Sequence, residues 1–100
     1  MSVGRRTAVA RVAHLLCELY VRLGLIGFVE NQRYALPLTQ IDLADATGLT
    51  SVHVNRMLRK LRDEELLVFR GGEVAILDWD RLQRVAEFSS AYLYLERRPR

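Results

Sequence analysis

The sequence predicts a mostly α-helical domain carrying a small β-hairpin. Three observations carry this. Apolar residues recur three and four apart over several segments, the signature of amphipathic helices. Two of those segments are short and are separated by Thr47-Gly48-Leu49, a glycine-containing turn. A β-rich run from Leu66 to Arg70 meets Gly71-Gly72 and resumes over Glu73 to Leu77, the pattern of two strands joined by a two-residue turn. Two short helices joined by such a turn make a helix-turn-helix, and a hairpin placed directly after the second helix makes it winged. Residues 1–100 are expected to form a single winged helix-turn-helix domain. The helix-turn-helix is placed at about 39–65, the wing at about 66–77 and a C-terminal helix at about 78–95.

The first helix is expected from Thr7 to about Leu25. Val9, Val12, Ala13, Leu16, Cys17, Leu19, Tyr20 and Leu23 line one face. Thr7 is suited to the N-cap, and Gly24 and Gly27 are read as the stop. Tyr34-Ala35-Leu36 reads as a short strand that Pro37 limits, because the residue before proline avoids the helical region. Thr39 precedes Asp42 by three residues, a capping box with Asp in place of Glu. Ile41, Leu43 and Ala44 are assigned to the inward face of the helix that follows, and Gly48 to a positive φ at its end. Thr50 caps the next helix, placed from Ser51 to about Glu65 with Val54, Met57, Leu58 and Leu61 turned inward. Ser51, Val52, Asn55, Arg56 and Arg59 occupy its opposite face, with His53 and Lys60 at the flanks. Asp78 caps a further helix whose apolar stripe is Trp79, Leu82, Val85, Ala86 and Phe88. Ala91 to Leu95 reads as a last turn or short helix.

The chain has 100 residues, half of them hydrophobic, so a packed core is expected and disorder is not. The formal net charge is +3. Its distribution says more than its size, because Arg56, Arg59, Lys60 and Arg62 crowd one segment, while Arg5, Arg6 and Arg11 lie near the start and Arg97, Arg98 and Arg100 near the end. Clustered positive charge is the footprint of a nucleic-acid binder. Cys17, the single cysteine, excludes an internal disulfide, is assigned to the core and fits a reducing cytoplasm. No signal peptide is visible, and the longest apolar stretches are far shorter than the roughly 20 residues of a membrane span.

The helix after Thr50 has the chemistry for reading base edges. An α-helix fits the major groove and presents the side chains of its first turns to the bases. Arg56 can hold guanine O6 and N7 with a two-pronged guanidinium contact. Ser51 and Asn55 can hydrogen-bond base edges, and Val52 can meet a thymine methyl, which accounts for a valine on a polar face. Thr39, Gln40, Thr50 and His53 sit at helix starts or flanks, where hydroxyl, amide, ring and backbone N–H groups meet phosphates. Arg59 and Lys60 are placed against the DNA backbone, and Arg70 with Gly71-Gly72 forms a wing gripping an adjacent phosphate. Each feature also has a plainer reading. An arginine-rich helix face is commonly just solvated, His14 is structural, Trp79 is a core plug, and Asp63-Glu64-Glu65 pairs with Arg59, Lys60 and Arg62.

From Leu38-Thr39-Gln40 through Arg62 the chain resembles the C-terminal domain of the Crp/Fnr family of bacterial transcription regulators. The motif is Leu38-Thr39-Gln40-Ile41-Asp42-Leu43-Ala44-Asp45 followed by Thr47-Gly48-Leu49-Thr50-Ser51-Val52-His53-Val54-Asn55-Arg56. Arg11-Val12-Ala13-His14-Leu15-Leu16 resembles the helix that follows the family's dimerisation helix, and Gly72 to Asp78 resembles its wing and the start of its last helix. The resemblance implies a cytoplasmic regulator that binds double-stranded DNA as a homodimer once joined to a sensor and dimerisation domain, with RNA polymerase as a further partner. It implies that Arg56 reads a base and that Thr39, Thr50 and His53 contact the DNA backbone. Ser51 and Val52 stand where the best-known member has an Arg-Glu pair that reads bases, so that member's operator sequence does not carry over to this chain. The family's sensor barrel has no counterpart in this sequence, so no cofactor is expected in this chain. Met1 to Arg6 reads as a remnant of the dimerisation helix.

Two other classes stand beside this. One is a winged-helix protein-interaction module without DNA binding. The other, an enzyme, is set aside because the sequence offers no nucleophile with a paired base, no metal-ligand spacing and no carboxylate dyad.

Overall fold

A computed structural model describes residues 6–88. Four helices and three strands follow in the order α1 (Ala8–Leu25), β1 (Arg33–Ala35), α2 (Gln40–Thr47), α3 (Ser51–Asp63), β2 (Leu67–Arg70), β3 (Glu73–Ile76) and α4 (Trp79–Ala86). The architecture is a winged helix-turn-helix. The start of the N-terminal remnant, the Ala91–Leu95 turn and the arginines at 97, 98 and 100 lie outside the described residues.

Every helix begins with a hydroxyl or carboxylate that satisfies a free backbone N–H. Thr7 accepts from the Ala10 amide at 3.2 Å, Thr50 from His53 at 3.1 Å and Asp78 from Arg81 at 3.2 Å. Thr39 and Asp42 form the complete capping box, with Asp42 N–H to Thr39 Oγ1 at 3.1 Å and Thr39 N–H to Asp42 Oδ2 at 2.9 Å.

The helix ends differ from expectation in three places. Gly24 lies inside α1 rather than stopping it. The stop is Gly27, with φ +86°, in a Schellman arrangement where the Phe28 N–H reaches Leu23 O at 2.8 Å and the Gly27 N–H reaches Gly24 O at 3.2 Å. Helix α3 ends at Asp63, two residues short of Glu65. Glu65 takes φ +59° and closes the same motif, the Leu66 N–H bonding Leu61 O at 3.0 Å. A non-glycine residue in this conformation costs about 1 kcal/mol. Burying Leu66, which has no exposed surface, offsets that cost. Helix α4 stops at Ala86 in like manner, with Glu87 at φ +53°, so Phe88 joins the core from beyond the helix.

Ile41 is the fourth difference. It points to solvent, 64% exposed, and not inward. At ~100° per residue Ile41 and Leu43 stand about 200° apart around the axis and cannot share a face. Leu43 takes the inward place together with Ala44 and Thr47. Thr47 is buried at no cost in unmet bonds, since its hydroxyl donates to Leu43 O at 2.7 Å.

The strand at Tyr34 is not isolated. It pairs antiparallel with β3, which also pairs with β2, giving a three-stranded sheet in the order β1-β3-β2. In the hairpin Arg70 faces Glu73, leaving a two-residue turn, and Gly71 and Gly72 both take positive φ (+60° and +74°) as a type I′ turn requires. Leu77, expected in the strand, lies beyond it and is half exposed.

Helix α1 is the spine of the core. Val12, Ala13, Leu16 and Cys17 meet Val54, Leu58 and Leu61 of α3, Leu43 of α2 and Leu82 and Ala86 of α4 in one buried cluster. Tyr34 ties the sheet to this spine, its hydroxyl donating to Leu16 O at 2.7 Å. Burial raises its phenol pKa, with a smaller contribution from neighbouring Cys17. His14 is structural as expected, with Nδ1 at 3.3 Å from Ala86 O and its ring edge-on to Phe88. Trp79, half-buried, packs against Tyr20 and Phe88.

Burial pushes the Cys17 thiol up to about 12 from its usual 9.0. The folded state therefore holds this proton more tightly than the unfolded chain. The resulting stability is complete below about pH 9 and is lost as pH rises through about 12. At about pH 8 iodoacetamide should leave Cys17 unmodified in the folded protein and alkylate it quickly in denaturant. Equal rates in both states would contradict the burial.

Candidate nucleic-acid interface

The site is the outward edge of α3 with the starts of α2 and α3 and the tip of the wing. Its orientation follows from the opposite edge. Val54 and Leu61 are fully buried and Leu58 nearly so, while Met57 is half-buried. Residues 52, 55, 56 and 59 must then face away, whereas Ser51, seven residues before Leu58, lies at the border of the buried edge. Val52, Asn55, Arg56 and Arg59 are exposed and Ser51 is half-buried. Val52 is 63% exposed, a large apolar surface in water with no intramolecular use.

The residues assigned to phosphate fall around that edge. Thr39 and Thr50 are exposed at the caps of α2 and α3. Both hydroxyls accept a backbone N–H; the Thr50 hydroxyl can still donate its own proton outward, whereas the Thr39 hydroxyl donates to Asp42 Oδ2 at 3.1 Å and leaves the exposed Thr39 cap to meet phosphate by exchanging that bond. His53 is half-buried on the flank of α3. Arg59 and Lys60 are exposed on its second half, and Arg70 is exposed at the end of β2.

Among the described residues, charge pairing separates these cations from Arg6, Arg22, Arg33, Arg62 and Arg81, while Arg11 and Arg84, away from this edge, also lack a carboxylate partner. Arg22 lies 3.1 Å from Glu18, Arg33 3.4 Å from Glu73, Arg62 3.8 Å from Asp63 and Arg81 3.9 Å from Asp78. Among the described residues Arg56, Arg59, Lys60 and Arg70 have no carboxylate within ion-pair distance. The expected pairing of Asp63-Glu64-Glu65 with Arg59 and Lys60 is therefore not formed; only Arg62 is engaged. Glu73, opposite Arg70 in the hairpin, turns instead to Arg33. Unpaired cations next to a capped helix start form a surface suited to a polyanion.

The turn between α2 and α3 sets their mutual angle. Gly48 takes φ +74°, and the Leu49 N–H bonds Ala44 O at 2.9 Å. The Arg11 guanidinium of α1 donates to Thr47 O at 3.0 Å, clamping the turn onto the spine. That contact joins residues 36 apart and has no local sequence signal. A second contact missed by the sequence reading crosses the site itself. The Asn55 amide donates to Gln40 Oε1 at 3.3 Å, linking the start of α2 to the reading edge of α3.

Among the described residues no group of three or more His, Cys, Asp or Glu side chains could hold a metal, and no helix is long and apolar enough to cross a membrane.

The Crp-like helix-turn-helix domain model matches residues 10–85, and the chain belongs to that family. The Nitrogen fixation regulation protein FixK of Rhizobium meliloti (strain 1021) is 35% identical over 68 residues, covering 68% of this chain and 30% of FixK. The Transcriptional activator protein FnrA of Stutzerimonas stutzeri is 33% identical over 76 residues, covering 76% of this chain and 31% of FnrA. The structure of FixK2 from Bradyrhizobium japonicum superposes with a TM-score of 0.71 at 32% identity, covering 83% of this chain and 40% of FixK2. The chain thus spans about a third of the length of these curated relatives. They are transcription regulators of the Crp/Fnr family and not enzymes, and the domain shared with them is the DNA-binding one.

If Gly48 sets the turn, Gly48→Ala should lower stability by about 1 kcal/mol, read as a fall in melting temperature. A Cβ there would meet Arg11 Nη1 at 3.6 Å, an ordinary contact, so the cost is conformational. Gly48→Asn should be milder, because asparagine tolerates positive φ. An Asn variant less stable than the Ala variant would contradict this account.

Proposed function

We propose that this domain binds duplex DNA sequence-specifically and thereby controls transcription, with α3 lying in the major groove. The observation that carries the reading is the solvent-facing edge of α3, where Val52, Asn55 and Arg56 stand clear of the core and Arg56 has no acidic neighbour. Arg56 offers guanine two parallel N–H donors, Val52 meets a thymine methyl, and Ser51 and Asn55 bond base edges. Thr39, Gln40, Thr50, His53, Arg59, Lys60 and Arg70 hold the phosphates that flank the groove and set its register on α3.

The relatives support the wider setting. In a parent chain of their length the domain would act in the cytoplasm as one half of a homodimer, on a pseudo-palindromic site, with RNA polymerase as a further partner. Two copies of α3 must then lie about 34 Å apart to enter successive turns of one groove. The domain itself takes up no cofactor. The alternative, a protein-interaction module without DNA contact, draws on the exposed Leu25, Ile26 and Phe28 at the end of α1. The unpaired cations around α3 favour DNA.

Binding to duplex DNA should fall steeply as salt rises, because phosphate contacts release counterions. A salt-independent affinity would favour the protein-interaction reading. On a preferred site Arg56→Ala should cost about 1–3 kcal/mol and relax the preference at one base pair. An equal loss on all sequences would count against direct readout. Arg70→Ala should weaken binding to all sequences and reduce the logarithmic salt slope by about one. An unchanged slope would mean that the wing does not touch phosphate.

A further inference from the structure

Within the proposed interface, we infer that Gln40 is a positioning residue that sets Asn55 to read adenine, so that a phosphate contact and a base contact are joined through one pair of amides. The inference rests on the reading that α3 faces the major groove.

The Asn55 Nδ2 lies 3.3 Å from Gln40 Oε1 and donates to it. Asn55 is exposed on the reading edge, one turn beyond Ser51 and next to Arg56. Gln40 is the first residue of α2, half-buried, directly after the Thr39 cap. An asparagine amide has two N–H groups and one carbonyl oxygen. Spending one N–H on Gln40 leaves one N–H and Oδ1. Those two are the set that adenine needs, since its N7 accepts and its N6 donates. Guanine presents two acceptors in the groove and thymine one, so neither matches the remaining pair.

The orientation of both amides follows from the anion on the other side. A phosphate can only accept, so the end of Gln40 turned to it is the Nε2 amine. Oε1 is then the end left for Asn55, and it accepts, which turns the Asn55 amine inward to Gln40 and leaves Oδ1 for the base. The polarity of the DNA backbone is passed through Gln40 to the reading group. In water an exposed amide pair is worth little. In the bound groove it is shielded from solvent, and a misoriented Asn55 would bury an unmet donor or acceptor. The pair therefore contributes discrimination more than affinity.

The test uses this chain and a preferred duplex obtained by selection from random sequences. Affinities for that duplex and for its single-base-pair variants are measured by competition for Gln40→Ala, Gln40→Glu and Asn55→Ala, with melting curves confirming that each variant is folded. Asn55→Ala should abolish a preference for adenine at one base pair. Gln40→Ala should reduce that same preference about tenfold and leave the guanine preference due to Arg56 in place. Gln40→Glu keeps an oxygen facing Asn55 but repels phosphate, so it should weaken all duplexes while retaining the adenine preference. If Gln40→Ala weakens every duplex equally with the adenine preference intact, Gln40 only touches phosphate and the relay is overturned. If Asn55→Ala changes no base preference, the assignment of Asn55 as a base reader falls, and the relay falls with it. Should no duplex be selected at all, the DNA-binding reading itself fails.

Discussion

The burial of one edge of α3 governs this structure. Val54, Leu58 and Leu61 fill the space between α1, α2 and the sheet, and with that edge committed the other can only face solvent. A Leu→Ala change at such a site typically costs about 2–5 kcal/mol, far more than any single exposed contact on the outer edge contributes. The core therefore decides where Val52, Asn55 and Arg56 point. The supports around α3 are of the same kind. Thr50 satisfies its first turn, Arg11 holds the preceding turn to the spine, and Leu66, drawn into the core just past its end, stops it. A side chain on this helix has little freedom of direction left, which is what preorganised recognition needs.

Electrostatics completes what packing begins. Three carboxylates near the interface are occupied elsewhere. Asp42 closes the capping box, Glu73 is drawn to Arg33 across the sheet, and Asp63 is beside Arg62. Surface ion pairs are individually weak. Their arrangement still matters, because it leaves Arg56, Arg59, Lys60 and Arg70 with positive charge that no neighbour cancels. The modest net charge of the chain understates this local field.

What could be read in the sequence was what depends on neighbours along the chain. The four caps, the Gly48 turn, the Gly71-Gly72 hairpin and, Ser51 apart, the two faces of α3 are encoded by residues a few positions apart, and appear as expected. What could not be read depended on partners distant in sequence. The pairing of Tyr34 with Val74 needs the third strand to be in place, and the Arg11 clamp and the Gln40–Asn55 link join separate helices. Ile41 is a local exception: its apolarity signals the core, but its angle around the helix, about 200° from Leu43, turns it to solvent. Glu65 and Glu87 hide two helix ends, since each places a strained glutamate at the positive φ that glycine ordinarily marks and thereby buries Leu66 and Phe88. For the interface, the exposure of the outer edge of α3 was legible, whereas the linkage between its residues was not.

The central claim is that the outer edge of α3 occupies the major groove. Dimethyl sulfate probes it directly, because it methylates guanine at N7, in the major groove, and adenine at N3, in the minor groove. On a bound duplex the account predicts protection of guanine N7 at the base pair facing Arg56, with adenine N3 at the same step left reactive. Unchanged guanine reactivity throughout the occupied site, or protection confined to adenine N3, would contradict it.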